Sequence, residues 1–407
     1  MRPDVTRRLK IFFVSTGIFL FVAAIADHLV LPGLVGNRTS HGLLFPPGSE
    51  FPYQTPEFSH TAKINSLGFR DREWATTKKE ATTRIVAIGD SFTFGMGVEL
   101  DRTWTKVLEQ GLKDLGFDVE IANLGRPGAH PASYAEVAQK AVPLLKPDVL
   151  LVAVLQGDDL AQTIRQITAE RTVKKNSPIN SFGFPVKQAV HALYPNISRM
   201  MHQYLANKST FRSKARLLEN IWKEQAERLV AGLKDEKKAR FESMGLTARE
   251  MFLRGHLNPG IVSMAIADPE YFATPLQTDN PLVKSALGKM QGHLLNMKKT
   301  AGAAEMIVLS IPLGIYVSEN VRQGGDEIGF TTFPEMLLTT KPDESLKKIC
   351  DESGIAFLSV TEAFRRQSRI EPLYYTYDGH FTPQGHELFV RELLPLLQKQ
   401  LFAKEGG

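Results

Sequence analysis

Cysteine is almost absent from the 407-residue sequence, which contains only Cys350. An intrachain disulfide, a cysteine-based zinc cluster and an iron–sulfur site are therefore excluded. The sequence also lacks a phosphate-binding Gly-x-x-x-x-Gly-Lys loop, and it has no group of His, Asp and Glu at metal-ligand spacing. No metal and no cofactor are implied, so any chemistry must come from the chain itself.

Net charge is also low, because 49 Lys and Arg stand against 44 Asp and Glu. The excess of +5 is uneven: residues 161–260 hold 18 basic and 8 acidic residues, so the rest of the chain is negative. A local excess of this kind does not indicate a nucleic-acid-binding protein. With 43% hydrophobic and 23% charged residues, the composition excludes bulk disorder and a polytopic membrane protein.

The N-terminus carries the one candidate membrane segment. Residues 11–26 are uncharged and largely apolar, and a basic stretch with three arginines and a lysine precedes them. This run is shorter than the roughly 20 residues that span a bilayer. Residues 29–35 could complete a tilted anchor, and small residues ending at Ala26 could instead be a signal-peptide cleavage site. We predict that residues 1–35 are a transmembrane anchor or a signal segment cleaved near Ala26. Either would place the following domain outside the cytoplasmic membrane, in the periplasm.

Residues 36–80 are rich in Pro, Ser, Thr and Gly and lack long apolar periodicity. This composition predicts an extracytoplasmic tether that leads into the domain. Within it, residues 64–71 are typical of a structured turn that could pack on the domain.

From residue 81 the pattern changes to apolar runs that alternate with segments of helix length. The expected strands are residues 85–88, 119–124, 149–155, 306–311 and 356–360. The expected helices are residues 104–115, 133–145, 281–300, 344–353 and 383–401. Apolar runs of this kind are buried on both faces, which predicts an α/β fold with a parallel sheet covered by helices. The blocks 81–160 and 281–403 are expected to form one domain.

Residues 161–280, between the two blocks, are interpreted as a basic helical insertion. Its charges could form a solvated helix face or a surface for acidic polymers and lipid headgroups. Glu219, Glu224 and Glu227 alternate with Lys and Arg as in helical ion pairs, which favours the solvated face.

The sharpest motif follows the first strand of this domain, where residues 89–95 read Gly-Asp-Ser-Phe-Thr-Phe-Gly. A serine at the carboxyl end of a strand lies where open α/β sheets present ligands, so Ser91 is a candidate nucleophile. The alternative is a serine that only caps the next helix. The motif is not the Gly-x-Ser-x-Gly elbow, because Thr93 occupies the position of the second glycine.

A serine nucleophile needs a base, and the base needs a carboxylate to orient it. Asp378-Gly379-His380 supplies both groups in one loop, just before the last expected helix. His386 lies within that helix and is assigned a structural or capping role.

With these residues the chain resembles the SGNH hydrolases, also called GDSL lipases and esterases. The resemblance covers the two α/β blocks, and it depends on Gly89-Asp90-Ser91, residues 123–128 (Asn-Leu-Gly-Arg-Pro-Gly) and the Asp378/His380 pair. It implies a flavodoxin-like three-layer α/β/α fold, with Ser91 as nucleophile, His380 as general base and Asp378 as the residue that orients the histidine. It also implies an oxyanion hole formed by the backbone N–H groups of Ser91 and Gly128 and an Asn side chain from a third block.

The third block departs from the family pattern, because residues 155–159 read Leu-Gln-Gly-Asp-Asp and Asp158 occupies the Asn position. An ionised carboxylate cannot donate a hydrogen bond to an oxyanion. Three interpretations follow: burial beside Asp159 protonates Asp158, the backbone donors suffice with help from Gln156 or another donor, or the protein is a weak or inactive relative.

The candidate wall of the substrate site comprises Gln156, Tyr375 and Tyr377, together with residues 312–314. For the tyrosines around the catalytic loop, packing beneath the loop is favoured over stacking on a sugar.

Together these features predict a serine esterase that hydrolyses acyl or O-acetyl esters on an envelope or exported glycan or lipid. The alternatives are a polysaccharide O-acetyltransferase on the same fold and a non-catalytic envelope-binding or assembly protein. The expected partners are the acylated carbohydrate or lipid and the cytoplasmic membrane, through the N-terminal segment. No nucleic acid is expected as a partner, and the oligomeric state is left open.

Overall fold

The computed structural model of the chain describes residues 14–16, 22–30, 42–176 and 218–402. The chain divides into two compact units, residues 1–40 with 169–216, and residues 41–168 with 217–407. In the first unit the described residues are helical and include a π-helix at Ala26–Val30. Most of the predicted anchor or signal segment, residues 1–35, lies outside the described residues. Within the described ranges, no helix is both long enough and apolar enough to cross a bilayer.

The second unit contains an antiparallel hairpin and a parallel sheet. The hairpin consists of β1 (Glu50–Gln54) and β2 (Ser59–Lys63). The sheet consists of β3 (Thr83–Gly89), β4 (Val119–Gly125), β5 (Val149–Leu155), β6 (Glu305–Ile311) and β7 (Ala356–Ser359). Its order is β4-β3-β5-β6-β7 and every neighbouring pair is parallel. This is the strand order of a flavodoxin-like doubly wound sheet, so the predicted α/β class with a parallel sheet is confirmed.

In the described ranges one α-helix joins β4 to β5, and six lie between β5 and β6. In the first half the helices are α1 (Ser91–Phe94), α2 (Trp104–Asp114), α3 (Pro131–Leu145) and α4 (Asp158–Asn176). Next come α5 (Leu218–Gly232), α6 (Asp235–Glu242), α7 (Leu246–Leu253) and α8 (Pro259–Ala267). The last five are α9 (Pro281–Ala301), α10 (Glu319–Ile328), α11 (Lys341–Glu352), α12 (Thr361–Gln367) and α13 (Pro383–Phe402).

The sheet is covered by helices on both faces, because its strands are largely apolar and β5 is apolar at every position. Successive side chains of a strand point to opposite faces. In β3, Ile85 and Ala87 join the core with α2, α12 and α13, whereas Val86 and Ile88 join the core with α3, α9 and α11. Helices on both faces of one sheet make the three-layer α/β/α arrangement.

Helices α5 to α8, from the segment predicted as an insertion, have a small apolar core of their own. Phe252 and Val262 are fully buried in it, and Ile328 and Phe330 join it from α10 and the residues just after. Burying one such large side chain contributes about 1.5–3 kcal/mol. This core fixes the helices of the insertion next to α10.

Residues 42–80 are folded into the domain, so the prediction of a tether over residues 36–80 is wrong for this part. The β1–β2 hairpin lies in it, and a fully buried arginine follows. Arg70 donates hydrogen bonds to three carbonyl oxygens at the end of the nucleophile motif and just beyond it, those of Phe94, Gly95 and Val98, at 2.9, 2.7 and 2.6 Å. Short strands and buried polar contacts explain the mixed composition that resembled a tether.

The turn expected at residues 64–71 is present. Asn65 closes it, because its Oδ1 accepts hydrogen bonds from the backbone N–H groups of Leu67 and Phe69, both at 3.1 Å. The turn then places Asp71 against β4, where its carboxylate accepts the N–H of Asn123 at 2.9 Å. These contacts attach the N-terminal segment to the edge of the sheet.

Candidate active site

Ser91 begins the short helix α1 directly after β3. Asp90 caps this helix by accepting the backbone N–H of Phe92 at 2.9 Å. Gly95 ends it with a φ of 84°, a left-handed conformation that glycine adopts readily. A Cβ on Gly125 would lie 1.9 Å from the backbone nitrogen of Phe94, so this glycine lets α1 lie against β4. The turn thereby holds Ser91 at the carboxyl edge of the sheet.

Asp378 and His380 lie in a loop closed by the antiparallel bridge between Tyr374 and Phe381. The Nδ1 atom of His380 is 2.5 Å from Oδ1 of Asp378. Its Nε2 atom is 2.7 Å from Oγ of Ser91, which is 289 positions away in the sequence. The structure therefore brings the three predicted triad residues into one hydrogen-bonded chain.

The charges around His380 change its proton affinity. Burial of the imidazole lowers its pKa, but the charge and the hydrogen bond of Asp378 act against burial, with smaller contributions from Asp90 and Asp158 when they are ionised, and the net pKa is raised. A raised pKa makes the neutral imidazole a better proton acceptor, and it also means that a higher pH is needed to keep the ring neutral.

A cavity lies beside the triad, and two residues that border it have backbone N–H groups suited to an oxyanion. They are the N–H groups of Ser91 and Gly128, and neither has an acceptor within the part of the chain that the structure describes. Asn123 shapes the turn that leads to Gly128, since its Oδ1 accepts the N–H of Gly125 at 3.0 Å. Unpaired N–H groups next to a nucleophile can stabilise a developing negative charge.

Asp158, at the predicted third oxyanion position, also borders the cavity. Its Oδ1 accepts the hydroxyl of Tyr271 at 2.9 Å, and its Oδ2 accepts the side-chain amide of Gln162 at 2.5 Å. Burial raises the pKa of Asp158, although the two hydrogen bonds act in the opposite direction. A neutral carboxyl group retains a proton that it can donate.

Asp158, which is half-buried, is one of three carboxyl groups at this edge of the sheet, and the other two, Asp90 and Asp159, are buried. Burial and the charge of Asp158 raise the pKa of Asp90 to about 7. Burial and the charge of Asp90 raise the pKa of Asp159 well above its ordinary value. Neighbouring buried carboxylates disfavour each other's ionisation, so these groups ionise less readily than isolated carboxyl groups.

Gln156 does not border the cavity, which corrects its prediction as a wall residue and as a replacement donor. Its side chain is buried, and its amide nitrogen, with two hydrogens, lies within hydrogen-bond distance of three oxygens, of Ser310, Asp343 and Thr361, at 2.9, 2.6 and 2.5 Å. Because these contacts use its donors, Gln156 stabilises a polar cluster at the ends of the strands.

The two candidate tyrosines have different positions. Tyr375 is not part of the cavity wall, so its prediction as a wall residue is wrong. The ring of Tyr375 packs on Phe58 with ring centroids 5.0 Å apart, and its hydroxyl donates to the carbonyl oxygen of Gly97 at 2.9 Å. Tyr377 does border the cavity, and its hydroxyl donates to Glu327 at 2.8 Å. Tyr375 therefore supports the loop from below, as the packing interpretation expected.

His386 lies behind the triad and is fully buried. Its Nδ1 accepts the backbone N–H of Trp104 at 3.1 Å. Burial lowers the pKa of His386 to about 3, so the ring is neutral and serves as a structural acceptor.

Glu57, at the tip of the β1–β2 hairpin, contacts the triad loop and was not identified from the sequence. Its carboxylate accepts the backbone N–H groups of Tyr377 and Asp378 at 3.1 and 2.8 Å. Thr55 orients the tip, because its Oγ1 accepts the N–H groups of Glu57 and Phe58 at 3.2 and 3.1 Å. The contact joins positions 320 residues apart, and no local pattern in the sequence signals it.

The cavity beside Ser91 and His380 has a volume of about 180 Å³. Its walls come largely from the insertion and from the residues after β6. The apolar side chains that border it from these two segments are Ile261, Met264, Phe272, Leu313, Ile315, Val321, Ile328 and Phe330.

Comparisons with known proteins find similarity in structure only. No protein-family model matches the sequence, and no curated protein matches it. Among solved structures, TesA is 11% identical with a TM-score of 0.38, covering 78% of this chain and 100% of its own. A lipase/acylhydrolase from Enterococcus faecalis is 11% identical with a TM-score of 0.38, over 78% and 96% of the two chains. A lipolytic protein of the G-D-S-L family from Veillonella parvula is 9% identical with a TM-score of 0.34, over 79% and 98%.

Proposed function

We propose that the chain is a serine ester hydrolase that forms an acyl-enzyme at Ser91. One observation supports this most strongly: the hydrogen-bonded chain from Asp378 through His380 to Ser91, with 2.7 Å between Nε2 and Oγ. A serine hydroxyl is a weak nucleophile until a base accepts its proton, and this geometry supplies the base and its orienting carboxylate.

The reaction would proceed in two halves. His380 accepts the Ser91 proton through Nε2 as Oγ attacks the ester carbonyl, and Asp378 stabilises the imidazolium through Nδ1. His380 then protonates the departing alkoxide. In the second half His380 removes a proton from water as the water oxygen attacks the acyl-enzyme. The bond to Ser91 Oγ then breaks, His380 returns the proton to Oγ, and the acid is released.

The negative charge on the tetrahedral oxygen would be stabilised by the N–H groups of Ser91 and Gly128. We propose that Asp158 is neutral in the working enzyme and replaces the family's Asn as a third donor. Its burial favours the protonated form, because burial raises the pKa of the carboxyl group more than the hydrogen bonds of Gln162 and Tyr271 lower it. One oxyanion donor is typically worth about 2.7–4 kcal/mol of transition-state stabilisation.

The test combines hydrolysis of p-nitrophenyl esters with labelling by a fluorophosphonate probe. The wild-type protein should hydrolyse the esters and be labelled at Ser91. The Ser91→Ala variant should lose labelling and about a thousandfold or more of kcat. Ser243→Ala, at an exposed serine of the insertion, is the matched control and should behave as wild type.

Two results would replace the proposal by one of the alternatives. Acyl transfer to a soluble oligosaccharide without appreciable hydrolysis would identify an acyltransferase on the same site. Failure of Ser91 to react with the probe between about pH 5 and pH 9 would indicate a non-catalytic envelope protein.

We also propose that the enzyme acts outside the cytoplasmic membrane, on an acylated carbohydrate or lipid. The basic flank and apolar run within residues 1–35 support this location. Fractionation of cells that express the full chain, with N-terminal sequencing, would test it. The full-length protein in the membrane fraction would indicate an anchor, a new N-terminus after about Ala26 would indicate cleavage, and recovery in the cytoplasm would refute the proposal.

A further inference from the structure

The cavity beside Ser91 has apolar walls on two sides. Ile261 and Met264, three residues apart on α8, border it from the insertion, and Phe272 follows just after that helix. Val321 and Ile328 border it from α10 on the other side. A group that enters this cavity exchanges water for aliphatic and aromatic contacts, which is favourable only for an apolar group.

The charge of the cavity selects against anionic groups. Three carboxyl groups, of Asp90, Asp158 and Asp378, border it, and its wall as described contains neither Lys nor Arg. An acyl group with its own carboxylate would lose its hydration there and gain no compensating cation, which is unfavourable even where Asp90 and Asp158 are protonated. The amide of Gln162 already donates to Asp158, so few free donors remain to recognise sugar hydroxyls.

The volume of the cavity sets the size of the group. An engineered apolar cavity of about 150 Å³ holds a benzene ring, which has six carbons. The cavity of about 180 Å³ therefore has room for a chain of roughly six carbons or slightly more. An acetyl group would leave most of the apolar surface uncovered.

We propose that the substrate carries an uncharged aliphatic acyl chain of about six to eight carbons, and that Met264 of the insertion limits its length. This inference rests on the proposed function, because it assigns the cavity to the acyl group attached to Ser91. The alcohol part of the ester, whether a sugar or a lipid headgroup, then lies outside the cavity.

The test is the chain-length dependence of kcat/KM over p-nitrophenyl esters from acetate to dodecanoate. Each buried methylene contributes about 0.8 kcal/mol, which corresponds to about a fourfold rise in kcat/KM per added methylene. The wild-type protein should follow this rise up to about hexanoate or octanoate, and longer chains should bring no further gain.

Two substitutions at Met264 should move this optimum in opposite directions. Met264→Trp fills the cavity and should lower the hexanoate-to-acetate ratio at least tenfold, while Met264→Ala should extend the optimum by about two carbons. Leu246→Trp is the control: Leu246 is an exposed residue of α7 in the same insertion, and its replacement should leave the profile unchanged. Because the two Met264 variants are expected to differ in direction, a general loss of folding cannot imitate the result.

The outcomes separate this inference from the proposed function. Hydrolysis that is fastest with acetate, with Ser91 still labelled, would overturn the inference and leave the esterase proposal intact. A profile that neither Met264 variant shifts would overturn the role of the insertion. Absence of both hydrolysis and labelling would overturn the esterase proposal and, with it, the acyl-chain assignment.

Discussion

Replacement of Glu57 is expected to lower kcat with little change in KM, because this residue positions the triad loop without bordering the cavity. Its carboxylate accepts the backbone N–H groups of Tyr377 and Asp378 at 3.1 and 2.8 Å. Without it, the loop that carries Asp378 and His380 would occupy its productive conformation for a smaller fraction of the time.

The size of the effect follows from these two hydrogen bonds. A typical net contribution is about 1–1.5 kcal/mol per bond, which applies here because Glu57 is half-buried and water can partly replace it. Glu57→Ala removes both bonds, or about 2–3 kcal/mol, and should reduce kcat about 30- to 150-fold. Glu57→Gln keeps one acceptor oxygen of similar size, so about 5- to 15-fold is expected.

The assay measures kcat and KM for p-nitrophenyl hexanoate together with the rate of fluorophosphonate labelling of Ser91. Labelling should slow by the same factor as kcat, since both need the base in place. Glu50→Ala is the matched control on the same hairpin, where an exposed glutamate faces Lys63 at 3.9 Å, and it should behave as wild type.

Three results would refute this reasoning. Wild-type kcat in Glu57→Ala would show that the loop holds its conformation without the carboxylate. An increase in KM alone would indicate a role in substrate binding. Equal losses in the Glu50 and Glu57 variants would point to the hairpin as a whole rather than to the two hydrogen bonds.

Three further predictions concern Asp158, His380 and Arg70. Asp158→Asn should preserve or raise esterase activity, because an amide donates a hydrogen bond from the same position as the neutral carboxyl group and does so at every pH. A drop of about a hundredfold or more in kcat would show that the carboxyl group has a role beyond that of a donor. The kcat/KM should rise with pH as His380 loses its proton, with a midpoint above the ordinary value of about 6.5, because the acids beside it raise its pKa. Asp378→Asn should shift this midpoint to lower pH as well as slow the reaction, and an unshifted midpoint would contradict the assignment. Arg70→Met leaves three carbonyl oxygens without their charged donor, so it should lower the free energy of unfolding by about 3–5 kcal/mol, as measured by urea denaturation. A loss under about 1 kcal/mol would show that water replaces the guanidinium.

Much of the fold could be predicted because its signals are local in the sequence. Strands such as residues 149–155 are apolar at every position, which is the pattern of a strand buried on both faces of a parallel sheet. The Gly-Asp-Ser motif directly follows one strand, and Asp378 and His380 lie just before the last helix. Each of these features can be identified from a few neighbouring residues.

The N-terminal segment was less predictable. Residues 42–80 contain Pro, Ser and Thr in the proportions of a linker, yet Arg70 in this segment is fully buried. Its three acceptors are backbone carbonyl oxygens. Because every residue has a backbone carbonyl group, the amino-acid composition does not show which of them will accept a hydrogen bond from Arg70. The prediction of a tether was wrong for this reason.

The sequence by itself determined the α/β class, the candidate nucleophile and the acid and base that could activate it, because short-range patterns encode strands, helices and loop motifs. Only the tertiary structure decided which side chains face the site. Gln156 turns to a buried polar cluster, Glu57 reaches the triad loop from a distant hairpin, and Met264 borders the cavity from the insertion. The direction in which a side chain points depends on partners that lie far away in the sequence, and packing brings them together only when the whole domain folds.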